Sequence, residues 1–199
     1  MARIDDSIGR LNAIYRHAEQ SWNEFVVMLA GVEVRYLLIA EAPPWSEHGP
    51  PQFVLDPMSR PGVLLRALSK AFLGEKARSM NAKEIIVQLA RRGFLLIDSI
   101  PFAMDYGSRR SRSSYQRLID QTVQTYLMTK MTIPQLVWSP EVRVALAFKR
   151  NGEAVTSALG GRIRIGGVDC PLGGYSVAAD GSNYPSASKL CSIYRAASP

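Results

Sequence analysis

The sequence has few of the side chains that build metal centres or disulfide frameworks. Two cysteines and two histidines occur among its 199 residues. Cys170 and Cys191 are too few for a four-thiolate zinc or iron–sulfur site, and no metal-ligand spacing joins His17 to His48. Free thiols are typical of a reducing compartment. We therefore expect a cytoplasmic protein that holds no metal and needs no cofactor.

Long apolar runs are also missing. No run approaches the roughly 18 residues that a transmembrane helix needs, and acidic residues stand near the N-terminus, where a signal peptide has its apolar core. We therefore expect no membrane partner and no secretion. The composition, 47% hydrophobic and 21% charged, is that of an ordinary globular protein. Its 199 residues suit one domain, 1–199, and we expect a monomer.

Negative charge is the scarcer sign. The chain has 17 acidic and 24 basic residues, a net charge of +7 and an isoelectric point near 9.6. Such an excess favours polyanionic partners such as nucleic acid, and a surplus that serves only solubility is an equally open alternative. Arg109, Arg110 and Arg112 stand among serines in the densest basic segment. That segment suits phosphate contacts, with a solvated loop as the alternative.

Hydrophobic patterning indicates an α/β fold. Predicted helices and strands alternate along the chain, which is typical of a parallel sheet covered by helices. We expect a three-layer sandwich with a mainly parallel four-stranded central sheet, after an N-terminal helical segment over about residues 5–30. The glycine pair at 166–167 predicts a hairpin, and Asn151 is predicted to cap a short helix. The predicted strands cover residues 34–40, 94–100, 142–148 and 175–179.

Residues 36–53 are the stretch around which we expect the functional site. An apolar strand there ends in the carboxylate of Glu41, and Pro43 and Pro44 stiffen the loop that follows. The carboxyl end of a buried parallel strand is where α/β proteins bind ligands. A strand that simply ends in a solvated glutamate has equal weight from the residue types alone.

Further candidate residues follow other predicted strands. Asp98 stands in an apolar strand, where a carboxylate is costly unless it is paired or faces a pocket. Phe53 is either a loop anchor in the core or a platform for a flat ligand. Because the carboxyl ends of parallel strands meet at one rim, we expect Glu41, Asp98 and the loop at residues 183–186 to lie on the same rim.

Four of these segments resemble motifs of the uracil-DNA glycosylase superfamily. Residues 40–44, AEAPP, resemble the GEAPG loop of its iron–sulfur branch, and residues 48–55, HGPPQFVL, resemble its G-x-PF element. Residues 94–101, FLLIDSIP, resemble the strand with its base-reading Asn. Residues 184–188, YPSAS, resemble its HPS motif. In order and spacing, the four motifs span most of the chain.

The resemblance implies a DNA-repair hydrolase that cleaves the N-glycosidic bond of a damaged or modified base, flipped into a pocket at the rim. Its partner would be DNA, or a free base or nucleoside. Glu41 would orient or activate the water, and Tyr184 would stand where the family has the histidine that stabilises the leaving base. The implied residues are, for catalysis, Glu41 and Tyr184; for base binding, Phe53, Asp98, Ala42 and Pro43; for DNA binding, Arg109, Arg110, Arg112, Ser186, Ser188 and Lys189.

The sequence also departs from the family pattern. Tyr184 replaces the histidine, Asp98 replaces the asparagine, and Ala40 and Pro44 replace two glycines. The cluster-binding cysteines are absent, so no iron–sulfur cluster is implied. An ionised Asp98 only accepts hydrogen bonds, so we expect a base with an amine or two N–H groups, or weak activity on uracil. A protonated Asp98 would mimic the asparagine in part, if burial raised its pKa.

Two other functions stay open from the sequence. The chain can be a catalytically inactive module of the same fold that binds a base, a nucleotide or nucleic acid, and the missing histidine favours this alternative. It can also be a small-molecule hydrolase that acts on nucleosides, which would leave the arginine segment without a role. Fold alone does not decide among them.

Overall fold

A computed structural model of the chain describes residues 2–45, 53–104, 111–172 and 185–195, with side chains from residue 8 to residue 194 within those ranges. The predicted strand at residues 175–179 and the candidate residues Tyr184, Arg109 and Arg110 lie outside the described residues. Within them, the fold is mixed α/β, with a parallel sheet flanked by helices.

Three parallel strands form the central sheet of the described residues. β1 (Glu33–Ala40) lies in the middle, between β2 (Phe94–Asp98) and β3 (Val137–Leu146). Leu37, Leu38 and Ile39 of β1 are fully buried, which matches their unbroken apolar run. Neighbouring strands and helices cover such a strand on both faces. The parallel sheet predicted from sequence is confirmed for these three strands, and a fourth is not seen among the described residues.

The third strand is longer and less regular than its predicted range of 142–148. Val34 and Tyr36 of β1 pair with Trp138 and Arg143, so β3 has extra residues at that point. Pro140 lies among them. Proline has no amide hydrogen to donate to a ladder, and prolines in sheets therefore concentrate at edges and bulges.

Helices precede, connect and follow the strands. Among them is a π-helical turn (Val123–Leu127) that joins α4 to α5 without interruption. None of the described helices is both long and apolar enough to cross a membrane. The helices are α1 (Ala2–Met28), α2 (Val63–Leu73), α3 (Ala82–Arg91), α4 (Arg112–Thr122), α5 (Met128–Met131), α6 (Lys149–Ala158) and α7 (Ala187–Arg195), with a 3₁₀ helix at Gly74–Ser79.

The connection from α3 into β2 shows how local sequence fixes the chain path. Asn81 caps α3 in a reciprocal capping box with Glu84, with hydrogen bonds of 3.0 and 2.8 Å. Gly93 ends the connection at φ 71°, and a Cβ there would overlap the carbonyl oxygen of Glu33. Its own carbonyl accepts the amides of Arg35 and Tyr36. Only glycine fits this approach between the two strands.

The glycine pair at 166–167 forms the predicted hairpin. β4 (Arg162–Ile165) and β5 (Val168–Pro171) pair antiparallel around it. Gly166 and Gly167 both have positive φ, 55° and 87°. Two left-handed residues in a two-residue loop match the twist of the flanking strands, so this prediction is confirmed.

Candidate functional site

The carboxyl edge of the sheet brings Glu41 and Asp98 to neighbouring positions. Ala40 of β1 pairs with Asp98 of β2 in the parallel ladder, and Glu41 is the next residue. The ladder extends past the strand ends, because the amides of Ser99 and Ile100 donate to the carbonyls of Ala40 and Glu41, each at 2.9 Å. The two acids therefore lie on the same rim, as the sequence predicts.

A buried network fixes the backbone at this edge. Asn151 of α6 is 1% exposed, and its Nδ2 donates to the carbonyl of Ala40 at 2.9 Å. The Ser99 hydroxyl, also buried, lies 3.1 Å from Asn151 Oδ1 and 3.1 Å from the carbonyl oxygen of Glu41. The capping role predicted for Asn151 is wrong, because α6 begins at Lys149 and Phe148 is its N-cap. Satisfied buried networks of this kind hold one geometry.

The Glu41 carboxylate is held by a side chain from α4. The phenol of Tyr115 donates to Glu41 Oε1 at 2.7 Å. Tyr115 is 2% exposed, and the Arg150 guanidinium lies over its ring, 4.2 Å from the ring centre. Glu41 itself is half-buried. A half-buried carboxylate with a fixed rotamer is suited to orient a water molecule.

Asp98 is the acid whose protonation the site alters most. Burial raises its pKa to about 7, the positive charge of Lys130 opposes this rise, and the carboxylates of Glu19 and Glu41 add to it. None of the described residues donates a hydrogen bond to its carboxyl group. Near neutral pH the group is therefore present in both forms, one that only accepts hydrogen bonds and one that also donates.

A buried charged cluster lies within electrostatic reach of Asp98. Lys130 Nζ donates to Glu19 Oε1 at 2.7 Å, and the Tyr126 phenol donates to the same oxygen at 2.7 Å. Nζ also lies 3.8 Å from the centre of the Trp22 ring. Burial lowers the pKa of Lys130, and the bond to Glu19 opposes that change. We refer to Glu19, Trp22, Tyr126 and Lys130 as the lysine cluster.

A single helical segment brings the lysine cluster and Glu41 into one site. Tyr115 lies in α4, Tyr126 in the π-helical turn, and Lys130 in α5. A π turn inserts one extra residue, so it rotates the side chains that follow it relative to those before it. Such turns are rare and occur frequently at functional sites. Trp22 of α1 joins the same region to β2, because its indole donates to the carbonyl of Leu96 at 2.9 Å.

Phe53 lies in a separate small apolar cluster. It is 8% exposed and packs with Ile14 and Ala103. Its ring centre is 5.1 Å from that of His17. This burial favours the loop-anchor alternative of the two that the sequence leaves open. The stacking role stays a prediction, and it requires that the side chains covering the ring move.

Ala42 and Pro43 are both buried in the loop after β1. That loop is paired with the loop after β2, since the Met104 amide donates to the Pro43 carbonyl at 3.0 Å and the Trp45 amide donates to the Met104 carbonyl at 3.1 Å. The backbone near Glu41 is therefore ordered by a neighbouring loop as well as stiffened by prolines. Their base-binding roles stay predictions.

A cleft of about 850 Å³ opens at the opposite edge of the sheet, where the strands begin. Glu33, Tyr36, Arg91 and Arg92 are among its lining residues. The arginines lie at the carboxyl end of α3, and Arg92 Nη1 donates to the Phe72 carbonyl at 2.6 Å. Basic groups at that end stabilise a helix, so their charge has a structural cause. We therefore place the candidate site at the Glu41 edge.

The end of α7 lies at this opposite edge, because Cys191 and Tyr194 line the same cleft. At the start of α7 the Ser186 hydroxyl accepts the Lys189 amide at 3.4 Å and lies 2.6 Å from the Ser188 hydroxyl. Ser186 thus caps the helix, and its predicted DNA contact stays a prediction together with those of Ser188 and Lys189.

Arg112 is the described member of the basic segment. It is the first residue of α4, its side chain is 92% exposed, and Nη2 lies 3.9 Å from Glu153 Oε2. Such an exposed pair contributes little to stability, so the guanidinium is available to another anion at low cost. Ser111 caps the same helix through the Ser114 amide.

Sequence reasoning missed Tyr115, Glu19 and Lys130 as parts of the site. For Lys130 a signal existed, because it follows Tyr126 by four residues and so continues the apolar stripe of its helix. A charged residue in such a stripe indicates a buried pair. No comparable signal linked Tyr115 to Glu41.

Comparisons of the chain with protein-family models, with curated proteins and with solved structures find no match. Within the described ranges, no group of three or more His, Cys, Asp or Glu side chains is arranged to hold a metal ion.

Proposed function

We propose that the protein is a DNA glycosylase-like hydrolase that cleaves the N-glycosidic bond of a damaged or modified base flipped out of DNA. The observation that most supports this proposal is the pairing of Ala40 with Asp98, which sets two acids side by side at the carboxyl edge of the sheet. We also propose that the complete fold is a three-layer sandwich with a fourth central strand, as the alternation of predicted helices and strands implies.

In this proposal Glu41 accepts a proton from a water molecule while the water oxygen forms a bond to C1′ of the sugar. The bond from C1′ to the base nitrogen breaks, and its electron pair leaves with the base. The negative charge of Glu41 also stabilises the positive charge that develops on the sugar. The hydrogen bond from Tyr115 supports this role, because it fixes the carboxylate that must face the water.

Asp98 reads the base in this proposal. In its ionised form it accepts a hydrogen bond from an exocyclic amine or a ring N–H, and in its protonated form it donates one to a carbonyl. Tyr184 donates from its phenol to the departing base, and Arg112 contacts a phosphate of the DNA backbone. The described residues donate no hydrogen bond to the Asp98 carboxyl group, which supports the reading role, since a ligand can donate one.

The direct test is release of a base from oligonucleotides. Single-stranded and duplex substrates would carry uracil, hypoxanthine, xanthine or hydroxymethyluracil, with strand cleavage at the abasic site as the readout. We expect activity on at least one base, lost in Glu41→Gln and kept in Glu33→Gln. Glu33 begins the strand that Glu41 follows, so it is a matched control. Failure of every substrate would contradict the enzymatic proposal.

A second candidate is a binding module of the same fold without catalysis. Tyr184 in place of a histidine favours it, because a phenol cannot carry the positive charge of an imidazolium. Calorimetry with free bases and oligonucleotides separates the two candidates. Binding without turnover, weakened by Asp98→Ala and not by Glu41→Gln, supports the binding module.

A further inference from the structure

The lysine cluster has no role in the reaction proposed above, although its parts are costly to bury. Lys130 is 7% exposed and its ammonium group lies between the Trp22 and Tyr126 rings, 3.8 and 4.8 Å from their centres. A buried ion pair adds little to stability compared with apolar packing of the same shape. Its position near Asp98 suggests another reason for its presence.

We propose that the Glu19–Lys130 pair sets the charge of Asp98 and thereby selects which edge of a base the site accepts. The part of this proposal that concerns base selection rests on the proposed glycosylase function. The part that concerns the charge of Asp98 does not, because it follows from where the cluster lies: Lys130 Nζ is 3.8 Å from the centre of the Trp22 ring, and the Trp22 indole donates at 2.9 Å to the carbonyl of Leu96, two residues before Asp98. Lys130 and Glu19 are positioning residues in this scheme, and Asp98 is the residue that contacts the base.

The groups that act on Asp98 come from four elements. Lys130 of α5 is positive and favours the ionised carboxylate, whereas Glu19 of α1 and Glu41 after β1 are negative and favour the protonated form. Tyr126 of the π-helical turn stays a neutral phenol, because burial raises its pKa, and its hydroxyl holds Glu19 beside Lys130. Burial raises the pKa of Asp98 to about 7, and these opposing charges act on a group that is already balanced near neutral pH, where small changes alter its state.

The balance has a consequence for substrate choice. A protonated Asp98 donates to a carbonyl, such as that of a uracil-like base, and an ionised Asp98 accepts from an amine or ring N–H. The two classes of base would therefore show opposite pH dependence. The lysine cluster sets the pH at which the preference changes.

The charge of Asp98 can be measured without any activity assay. Carbon-13 NMR of the side-chain carboxyl groups gives the titration midpoint of Asp98, with Asp98→Asn to assign the signal. We expect Lys130→Met to move this midpoint upward, and Glu19→Gln to move it downward, each by about one pH unit. Lys83→Met is the matched control. Lys83 is exposed on α3, and its substitution removes the same amount of charge from the protein as Lys130→Met does.

A double variant protects this test against loss of folding. Glu19→Gln combined with Lys130→Met removes both charges and keeps the shapes, which buried pairs tolerate better than loss of one partner. Its midpoint should lie between those of the single variants. Equal midpoints in all variants, or single variants that shift in the same direction, would overturn the proposal.

Activity supplies the second readout. If a carbonyl base and an amine base are both substrates, their ratio of rates should reverse with pH, and Lys130→Met should move the reversal upward with the NMR midpoint. If the Asp98 midpoints shift in the variants but no base is released, the charge-setting role of the Glu19–Lys130 pair is supported and the proposed glycosylase function is rejected. A reversal that stays in place while the midpoint moves would reject base selection by Asp98.

Discussion

Tyr115 and Glu41 are joined by a 2.7 Å hydrogen bond, although 74 residues separate them in the chain. The helical segment that begins with α4 continues through the π-helical turn to Lys130, which binds Glu19 of α1. One segment therefore fixes the orientation of one acid and the charge environment of the other.

In the proposed reaction, Tyr115→Phe should lower the rate of base release while the protein stays folded. The variant keeps the buried ring and removes the hydroxyl that donates to Glu41. Loss of a hydrogen bond to a charged group corresponds to about a tenfold decrease in rate. Single-turnover kinetics measure the effect, and Tyr36→Phe is the control, because Tyr36 lies in the first half of β1. An unchanged rate would show that Tyr115 does not position Glu41.

Asn151→Leu should destabilise the protein by about 2–4 kcal/mol, because Ser99 and the Ala40 carbonyl lose a buried partner. Urea unfolding followed by circular dichroism measures the free energy. Asn23→Leu on the exposed face of α1 should cost far less. Equal effects of the two substitutions would contradict the role of the network in fixing the sheet edge.

Gly93→Ala should cost more stability than Gly31→Ala. Both glycines follow helices with positive φ, 71° and 77°, so both variants meet the same backbone strain. Only at Gly93 would the new Cβ overlap a backbone carbonyl, that of Glu33. We expect about 1 kcal/mol at Gly31 and at least about 2 kcal/mol more at Gly93. Thermal unfolding of both variants gives the comparison.

Asp98 should make the protein less stable as the pH rises. Its pKa is about 7 in the folded protein and 3.8 in the reference state, so the folded state binds more protons between these values. Unfolding then becomes easier as pH increases through this window, by at most about 4 kcal/mol.

Asp98→Asn removes this pH-dependent contribution. Between about pH 4 and about pH 7, the native protein should therefore lose stability relative to Asp98→Asn. Above about pH 7, the difference in unfolding free energy between the two should stay constant. Urea titrations at several pH values measure the difference. A difference that does not change with pH would show that Asp98 keeps its ordinary pKa.

Parts of the fold could be predicted from sequence because they follow from local patterns. The apolar runs of β1 and β2 predict buried parallel strands, and the glycine pair at 166–167 predicts the hairpin. The rim location of Glu41 and Asp98 follows from strand direction alone. The role of Asn151 was predicted wrongly, because a capping preference is local and the buried network that uses its amide is not.

Local patterns are enough to predict where β1 ends, at Ala40, since hydrophobic periodicity and turn residues act over a few positions. What the residues of the site contact depends on the tertiary structure: Tyr115 binds Glu41, Lys130 and Glu19 lie near Asp98, and α1 covers Phe53. Such contacts join residues far apart in the chain. They depend on how helices pack against the sheet, and burial there changes the pKa of Asp98 in a way that no local pattern specifies.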